Sequence, residues 1–263
     1  MKIIDGGVTA AKGFKAAGMH AGIKKGTKKD MAMIVSSAPC MAAGTFTTNL
    51  VKAAPVKWDQ HVVYEHGEAR AVVVNSGIAN ACTGAEGYGY CEETAKAAAE
   101  ALGIDKDEVL VASTGVIGKQ LPIDTIKKGV KDLSGLLLDT REAATLAAES
   151  IMTTDTVKKE VAVEVEIGGK TVTIGGMCKG SGMIHPNMCT MLSFLMTDAA
   201  ISKEMLQKAL SADVDDTYNM ISVDGDTSTN DTVLLLANGL AENPEITEEG
   251  EDFQTFAKAL HYL

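Results

Sequence analysis

The chain has 263 residues, 46% of them hydrophobic and 22% charged, which is enough for the core of one large domain or two small ones. Its formal net charge of −11 argues against nucleic acid and against an anionic membrane surface as binding partners. The five cysteines form no CxxC pair, the first residues lack the apolar stretch of a signal peptide, and no run approaches the ~20 apolar residues of a membrane span. We therefore expect a soluble cytoplasmic protein with free thiols.

Short apolar runs rich in valine predict strands. The run Glu160–Ile167 alternates strictly, which predicts a strand with one buried face, paired with the next run through a turn at Gly168–Gly169. The runs Ala71–Asn75 and Thr232–Ala237 are almost continuously apolar and predict central strands covered on both faces. The predicted strands are Met31–Ser36, Ala71–Asn75, Val109–Ser113, Glu160–Ile167, Thr171–Ile174, Met191–Met196 and Thr232–Ala237.

Segments between these runs, many of them rich in alanine, predict helices. The first of them stops at Gly103, a residue type that commonly ends helices. The predicted helices are Glu92–Leu102, Ile123–Leu133, Arg141–Met152, Ser202–Ala212 and Phe253–Leu263. Hairpins and short connections favour an α+β fold over repeated βαβ units, and two sheets sandwiched between helices would accommodate both kinds of strand.

Several familiar motifs fail on spacing. Gly118–Lys119 is not a phosphate-binding loop, because Ser113 stands where the first glycine is needed and Gln120 where Ser or Thr is needed. The segment Asp224–Asp231 has oxygens at alternate positions, as in a calcium loop, but its glycine is second and its twelfth position is Leu235. No GxGxxG opens a helix and no HxxxH pair is present. We expect no metal and no bound cofactor.

The most unusual stretch is Gly175–Asp198, a glycine-rich loop that switches to an apolar strand after Cys189–Thr190. A threonine hydroxyl is a weak nucleophile until a base removes its proton. If the hydroxyl of Thr190 attacks the Cys189 carbonyl and water opens the ester, the chain is cut and Thr190 gains a free α-amine. The ordinary pKa of that amine, about 7.7–8.0, suits a general base. The alternative is an ordinary turn before a strand.

Six ordered blocks extend the pattern over nearly the whole chain, and together they closely resemble the ornithine acetyltransferase family, the bifunctional arginine-biosynthesis enzymes. The blocks are Phe46–Pro55, Asn75–Gly84, Ser113–Gly118, Ile151–Asp155, Lys179–Leu192 and Ser222–Asp231. The resemblance implies a layered αββα sandwich, similar in form to N-terminal-nucleophile hydrolases. It implies acetyl transfer from N2-acetylornithine to glutamate through an acetyl-threonine enzyme, with acetyl-CoA as a further donor in some members.

The resemblance also implies residue roles and an assembly. Thr190 would be the nucleophile, and cleavage between Cys189 and Thr190 would give an α chain of residues 1–189 and a β chain beginning at 190, associated as a heterotetramer. Thr114 and Gly115 would supply the oxyanion hole, while Thr153 and Lys179 would contact substrate. From the residues alone, Thr114–Gly115 is more simply an ordinary strand-ending turn, and the alternatives are that Lys179 is a solvated lysine in a glycine-rich loop and Thr153 an N-cap or helix-end hydroxyl.

The sequence departs from the family in three ways. Cys189 stands where alanine is usual, Ile78 stands where asparagine is common, and the family's C-terminal segment has no counterpart here. We therefore expect residues 1–263 to form a single catalytic domain without the family's C-terminal part. Two alternatives remain open: an N-terminal-nucleophile amidase or aminopeptidase, and an inactive homologue that binds a partner.

Overall fold

A computed structural model describes residues 1–185 and 191–263 of the chain. Its strands are β1 (Lys2–Ile4), β2 (Phe14–Met19), β3 (Met31–Phe46), β4 (Glu68–Ile78), β5 (Val109–Val116), β6 (Lys159–Ile167), β7 (Lys170–Lys179), β8 (Leu192–Thr197) and β9 (Thr232–Ala237). Its α-helices are α1 (Ala54–His61), α2 (Gly84–Leu102), α3 (Ile123–Ser134), α4 (Arg141–Ile151), α5 (Lys203–Asp216) and α6 (Glu251–Tyr262). The predicted strands and helices are all confirmed: Thr232–Ala237 has the predicted bounds, and each of the others differs at one end or both. Strands β1 and β2 and helix α1 were not predicted.

The hairpin and the central strands are found where the pattern predicted them. Strands β6 and β7 pair antiparallel up to Ile167 and Lys170, and the two glycines between them have φ of 56° and 73°. Positive φ at both central positions is the geometry of the common two-residue hairpin turn. Strand β9 is buried along its whole length between β8 and β3, and β4 lies between β3 and β5.

The long strand β3 joins the two halves of the structure. Hydrogen bonds connect the strands in the order β1-β6-β7-β8-β9-β3-β4-β5, and β2 pairs with β3. The first part of β3, Met31–Val35, pairs with β4, and its last part, Met41–Phe46, pairs with β9. The register with β4 shifts between Val35 and Cys40, around Pro39, which has no N–H to donate. The two predicted sheets are thus hydrogen-bonded into one through β3.

The core shows that the two halves are layered. Strands β8 and β9 alternate: Phe194 and Leu234 belong to the larger apolar core with residues of β2–β5 and α1–α4. Leu195 and Leu235 point the other way, into a second core with α5 and α6. Both faces of this half are therefore covered, and the predicted α+β sandwich is confirmed.

Two further observations bear on the sequence predictions. Cys40, Cys82, Cys91 and Cys178 are free thiols. In the part of the chain that the structure describes, no helix is long and apolar enough to cross a membrane.

Candidate active site

Strand ends from both halves of the sheet meet at one place. Asn230, which precedes β9, donates its side-chain amide to the carbonyls of Ala79 and Ser113 at 2.7 and 2.8 Å. The start of β8 lies beside it, because Thr232 donates its backbone N–H to the Met191 carbonyl at 3.0 Å. The C-terminal ends of β4 and β5 thereby face the N-terminal ends of β8 and β9.

Lys179 and Thr114 are brought together at this place. The Lys179 ammonium donates to the Thr114 hydroxyl at 3.4 Å, and both residues are buried, with exposed fractions of 3% and 5%. Burial lowers the pKa of Lys179, and the opposing charges of Asp155 and Asp231 only partly offset this. The alternative of a solvated lysine is therefore wrong. A buried ammonium held beside a hydroxyl is suited to binding an anionic group.

Gly115 has a backbone that no other residue type fits. Its φ is 133°, and a Cβ there would lie 2.3 Å from the Gly77 carbonyl carbon and 2.7 Å from the Ile78 nitrogen. The pairing of β5 with β4 becomes irregular at the same point, where Ile78 faces both Thr114 and Val116. The end of β5 is thus bent against the end of β4, unlike a simple strand end.

Hydrogen bonds to the carboxylate of Asp155 hold Thr153 next to the segment that contains Lys179. One of its oxygens accepts the Gly180 N–H at 2.8 Å and the Lys159 ammonium at 2.7 Å, and the other accepts the Thr153 N–H at 3.2 Å. Burial alone would raise the pKa of Asp155, but these donors outweigh it and hold the pKa below its usual value. Thr153, whose role in substrate contact was predicted, thus lies in a loop held against the residues that follow Lys179.

A second lysine, Lys24, was not predicted. Its ammonium donates to the carbonyls of Met152 and Lys29 at 2.6 and 2.9 Å. Burial lowers its pKa to about 8. The buried carboxylate of Asp30 holds its loop by accepting backbone N–H groups, including those of Ile23 and Lys24 at 2.8 Å. The lysine-rich loop around it has the composition of a solvated surface, and no sequence signal separated Lys24 from its neighbours.

Asp231 was given no role from the sequence, although it ends both the rejected calcium loop and the family block Ser222–Asp231. Its Oδ1 accepts the Met191 N–H at 3.1 Å, whereas its Oδ2 is buried and has no hydrogen-bond partner within the described ranges. Burial raises the pKa of Asp231 to about 8. An acidic residue directly before a continuously apolar strand is the signal that could have identified it.

Calcium receives no support from the loop that ends at Asp231. The Asp224 carboxylate accepts the backbone N–H groups of Met183 and Ile184 at 2.7 and 2.8 Å. Over residues 1–185 and 191–263, no group of three or more His, Cys, Asp or Glu side chains could hold a metal ion. These hydrogen bonds hold Met183–Ile184 against the loop that contains Asp224.

The two residues predicted for cleavage, Cys189 and Thr190, lie outside the described residues. Met191 follows them, and in the antiparallel pairing of β7 with β8 Lys179 lies opposite Leu192. A cavity of about 570 Å³ opens beside Lys179 and Met191, with a largely apolar lining that includes Ile221 and Val223. The described part of the site is a buried ammonium that contacts the hydroxyl of Thr114 near the bent end of β5 and also lines a cavity of a size that suits a small molecule.

Comparison with known proteins gives one consistent result. The model of the ArgJ family matches residues 15–263. The arginine biosynthesis bifunctional protein ArgJ of Symbiobacterium thermophilum is 55% identical over 262 residues, which are 99% of this chain and 64% of that protein. This chain therefore spans less than two thirds of that relative's length.

Two solved structures are also similar. The ornithine acetyltransferase of Mycobacterium tuberculosis, crystallised with ornithine, superposes with a TM-score of 0.65 at 40% identity, covering 73% of this chain and 99% of that chain. A β-aminopeptidase from Burkholderia sp. superposes with a TM-score of 0.57 over 99% of this chain and 85% of that chain, but at 12% identity it shows the fold alone. The predicted family resemblance and the predicted form are both confirmed.

Proposed function

Because this chain belongs to the ArgJ family, we propose that it carries glutamate N-acetyltransferase chemistry, moving an acetyl group from N2-acetylornithine to glutamate in arginine biosynthesis. Acetyl-CoA is proposed as a further donor, and no cofactor is required. The observation that carries the proposal is the contact of Lys179 with Thr114, in a site where Lys179 lines the same cavity as Met191, the residue that follows the proposed nucleophile Thr190.

The chemistry starts with cleavage of the chain. The Thr190 hydroxyl oxygen bonds to the Cys189 carbonyl carbon, the Thr190 nitrogen leaves with a proton, and water then opens the resulting ester. The products are a carboxylate on Cys189 and a free α-amine on Thr190. Because that amine is on the same residue as the hydroxyl, it can serve as the base for each later attack.

Acetyl transfer then uses the same oxygen twice. The hydroxyl oxygen of Thr190 bonds to the acetyl carbon of N2-acetylornithine, and ornithine leaves as its amine. The glutamate amine next attacks the acetyl ester and regenerates the hydroxyl. Each attack places negative charge on the carbonyl oxygen, and we propose that Thr114 and Gly115 donate to it, each donor contributing about 2.7–4 kcal/mol.

Substrate recognition is proposed at Lys179 and Thr153. Both substrates carry a carboxylate, and a largely desolvated ammonium attracts a carboxylate more strongly than a hydrated one does. The buried position of Lys179 supports this role. Asp155 would hold Thr153 close to Lys179, because its carboxylate accepts the N–H groups of both Thr153 and Gly180.

The extent of the Mycobacterium tuberculosis chain supports the cut. It is covered almost completely, yet it spans only 73% of this chain, or about 192 of 263 residues. Residues 1–189 are a piece of nearly that length. We propose that the two pieces remain associated, since β8 is hydrogen-bonded between β7 and β9, and β9 in turn pairs with β3. A heterotetramer of such α and β chains in the cytoplasm is the proposed assembly.

Intact mass of the purified protein tests the cut, with Thr190→Ala as the variant and Thr171→Ala, an exposed threonine of β7, as the control. Wild type and Thr171→Ala should be found as two pieces and Thr190→Ala as one. Active protein that remains whole would contradict the proposal.

Release of ornithine from N2-acetylornithine tests the transfer. Release that depends on glutamate indicates the transferase, while release of acetate without glutamate would instead indicate the amidase alternative. Cutting without turnover of either donor would limit the proposal to self-cleavage.

A further inference from the structure

We propose that Asn230 is a positioning residue for the oxyanion site of Thr114 and Gly115, because its side-chain amide holds the end of β5 that contains them. The proposal rests on the proposed function and adds to it a residue that acts through Thr114 and Gly115 without touching substrate. It is supported by the two carbonyls that Asn230 binds, by the irregular end of β5, and by the half of the sheet to which Asn230 belongs.

The side-chain amide of Asn230 joins the ends of two strands. It donates to the carbonyl of Ala79, directly after β4, at 2.7 Å and to the carbonyl of Ser113, within β5, at 2.8 Å. The Ser113 carbonyl belongs to the peptide group that leads into Thr114, and the atoms of a peptide group, from one Cα to the next, lie in one plane. Fixing this carbonyl therefore fixes the position from which the side chain of Thr114 and the backbone of Gly115 continue.

The orientation of the Asn230 amide is itself determined by its partners. Two carbonyl oxygens can only accept hydrogen bonds, so the NH2 end of the amide must face them, and its Oδ1 accepts the Thr229 hydroxyl at 2.6 Å. The backbone is held as well: the Asn230 N–H donates to the Ser228 hydroxyl, and its carbonyl accepts the Thr232 hydroxyl, both at 3.0 Å. Asn230 is also buried, so these bonds are made within the protein and keep the amide in one orientation.

The end of β5 needs a support outside its own strand pairing. Among the described strands, β5 pairs with β4 alone, and this pairing becomes irregular where Ile78 faces both Thr114 and Val116. A regular ladder fixes each residue through its neighbour, whereas a shift in register disrupts the ladder locally. Asn230 binds the carbonyl of Ser113, directly before the irregular part, and so fixes the point at which the bend begins.

Asn230 also aligns the two halves of the sheet. It lies two residues before β9, which belongs with β8 and β7 to the half that contains Lys179, whereas Ser113 and Thr114 lie in β5. The Ser113 side chain is bound within its own half, since its hydroxyl donates to Asn75 Oδ1 at 2.6 Å. The Asn230 amide is thus a direct bond between the halves that meet where Lys179 contacts Thr114. In the proposed two-piece enzyme it joins the piece with the nucleophile to the piece with the oxyanion donors.

The effect on catalysis follows from how strongly an oxyanion site depends on distance. A donor must lie about 2.7–3.1 Å from the oxygen that becomes negative, and a displacement of about 1 Å can cost about 100-fold in rate. Without the Asn230 amide, the two carbonyls lose a donor, and the end of β5 can move relative to β7, β8 and β9. Thr114 and Gly115 would then be present at the wrong distance, so kcat falls while substrate binding changes little.

The test compares Asn230→Ala with Asn238→Ala, a matched control at the other end of β9. Asn238 is also buried, and its amide donates to the Lys12 carbonyl at 2.9 Å and to the Ser36 hydroxyl at 3.2 Å, neither of which is in β4 or β5. If Asn230→Ala does not fold, Asn230→Ser, which keeps a hydroxyl donor, replaces it, with Asn238→Ser as control. Each protein is assayed for its urea midpoint and for glutamate-dependent release of ornithine, with kcat expressed per molecule of cut enzyme counted by intact mass.

Asn230→Ala should lower kcat about 10-fold to 100-fold and change KM less than about threefold, whereas Asn238→Ala should stay within about twofold of wild type in both. The two variants should lose stability by similar amounts, because each removes one buried amide. Equal values of kcat in the two variants would overturn the proposal. So would a folded Asn230→Ala that remains uncut, because the residue would then serve cleavage and not transfer.

A double variant separates positioning from a general structural role. Substitutions that act through the same group are not additive. In a Thr114→Ala background, Asn230→Ala should therefore lower kcat by a smaller factor than it does in wild type, and an equal factor in both backgrounds would overturn the proposal. Wild type that releases no ornithine in the presence of glutamate would instead overturn the proposed function, and this proposal with it.

Discussion

The Lys179 ammonium lies 3.4 Å from the Thr114 hydroxyl, although their strands, β7 and β5, are five places apart in the sheet order. Neighbouring strands are spaced by about 4.8 Å, so a flat sheet would hold these strands about 24 Å apart. The contact exists because the sheet doubles back along β3. The candidate site is therefore a product of the layered fold, formed only where its two halves meet.

Replacing Lys179 with methionine should separate activity from stability. Lys179→Met removes a buried ammonium but keeps an unbranched side chain of similar length, so we expect unchanged or higher stability in urea unfolding, by up to about 1 kcal/mol. Turnover of N2-acetylornithine should fall at least about 100-fold, because a charge-assisted contact to substrate is lost. Lys170→Met, on the exposed end of the same strand, is the control and should change neither. Retained turnover in Lys179→Met would rule out the substrate role.

Gly115 and Gly118 form a matched pair for testing the bent end of β5. Both have positive φ, but a Cβ on Gly115 would collide with the backbone of Gly77, while a Cβ on Gly118 would meet nothing within 4 Å. We expect Gly115→Ala to lower the free energy of unfolding by about 3 kcal/mol and Gly118→Ala by about 1 kcal/mol. Urea midpoints measure both. Equal losses would show that the close approach at Gly115 is not a constraint in solution.

The pKa of Lys24 gives a prediction about stability and pH. Burial lowers it from 10.5 to about 8, so between these values the unfolded chain binds a proton that the folded chain does not. Stability contributed by this group therefore rises as pH rises from about 8 to 10.5. Urea midpoints across this range should climb less steeply in Lys24→Met than in wild type. The exposed neighbour offers the control Lys25→Met, which should follow the wild-type slope, and identical slopes in all three would contradict the assignment.

The fold was largely predictable where local pattern and burial agree, as in the alternating Glu160–Ile167 and the apolar Thr232–Ala237. Prediction failed where packing overrides local preference. Helix α2 begins at Gly84 and runs through two more glycines that disfavour helix, and β2 has no alternating pattern. The joining of the two halves through β3 depends on pairing between distant segments, which no local window contains.

The site residues were predicted from the family resemblance and not from local chemistry. The resemblance assigned roles to Lys179 and Thr114, and the structure brings the two into contact. Asp231 and Lys24 escaped because their character arises from burial and from backbone groups of remote segments: Asp231 holds the N–H of Met191, and Lys24 donates to the carbonyl of Met152. For Lys24 this leaves no sequence signal at all, and for Asp231 it leaves only the position of an acidic residue directly before an apolar strand.

The carboxylate of Asp224 should govern how fast the chain is cut. It accepts the N–H groups of Met183 and Ile184, while the Ile184 carbonyl accepts the Val223 N–H at 2.9 Å, so hydrogen bonds hold the two loops together shortly before the proposed cleavage position. Asp224→Ala removes one side of this fastening and should slow cleavage about fivefold to tenfold, because the attacking and attacked groups are held less closely. The urea midpoint should not change, since the carboxylate lies in an exposed loop. Asp226→Ala, two residues further along the same loop, is the control; following cleavage over time by intact mass should show it at the wild-type rate. If Asp224→Ala is cut as fast as this control, the fastening of the loops does not limit cleavage.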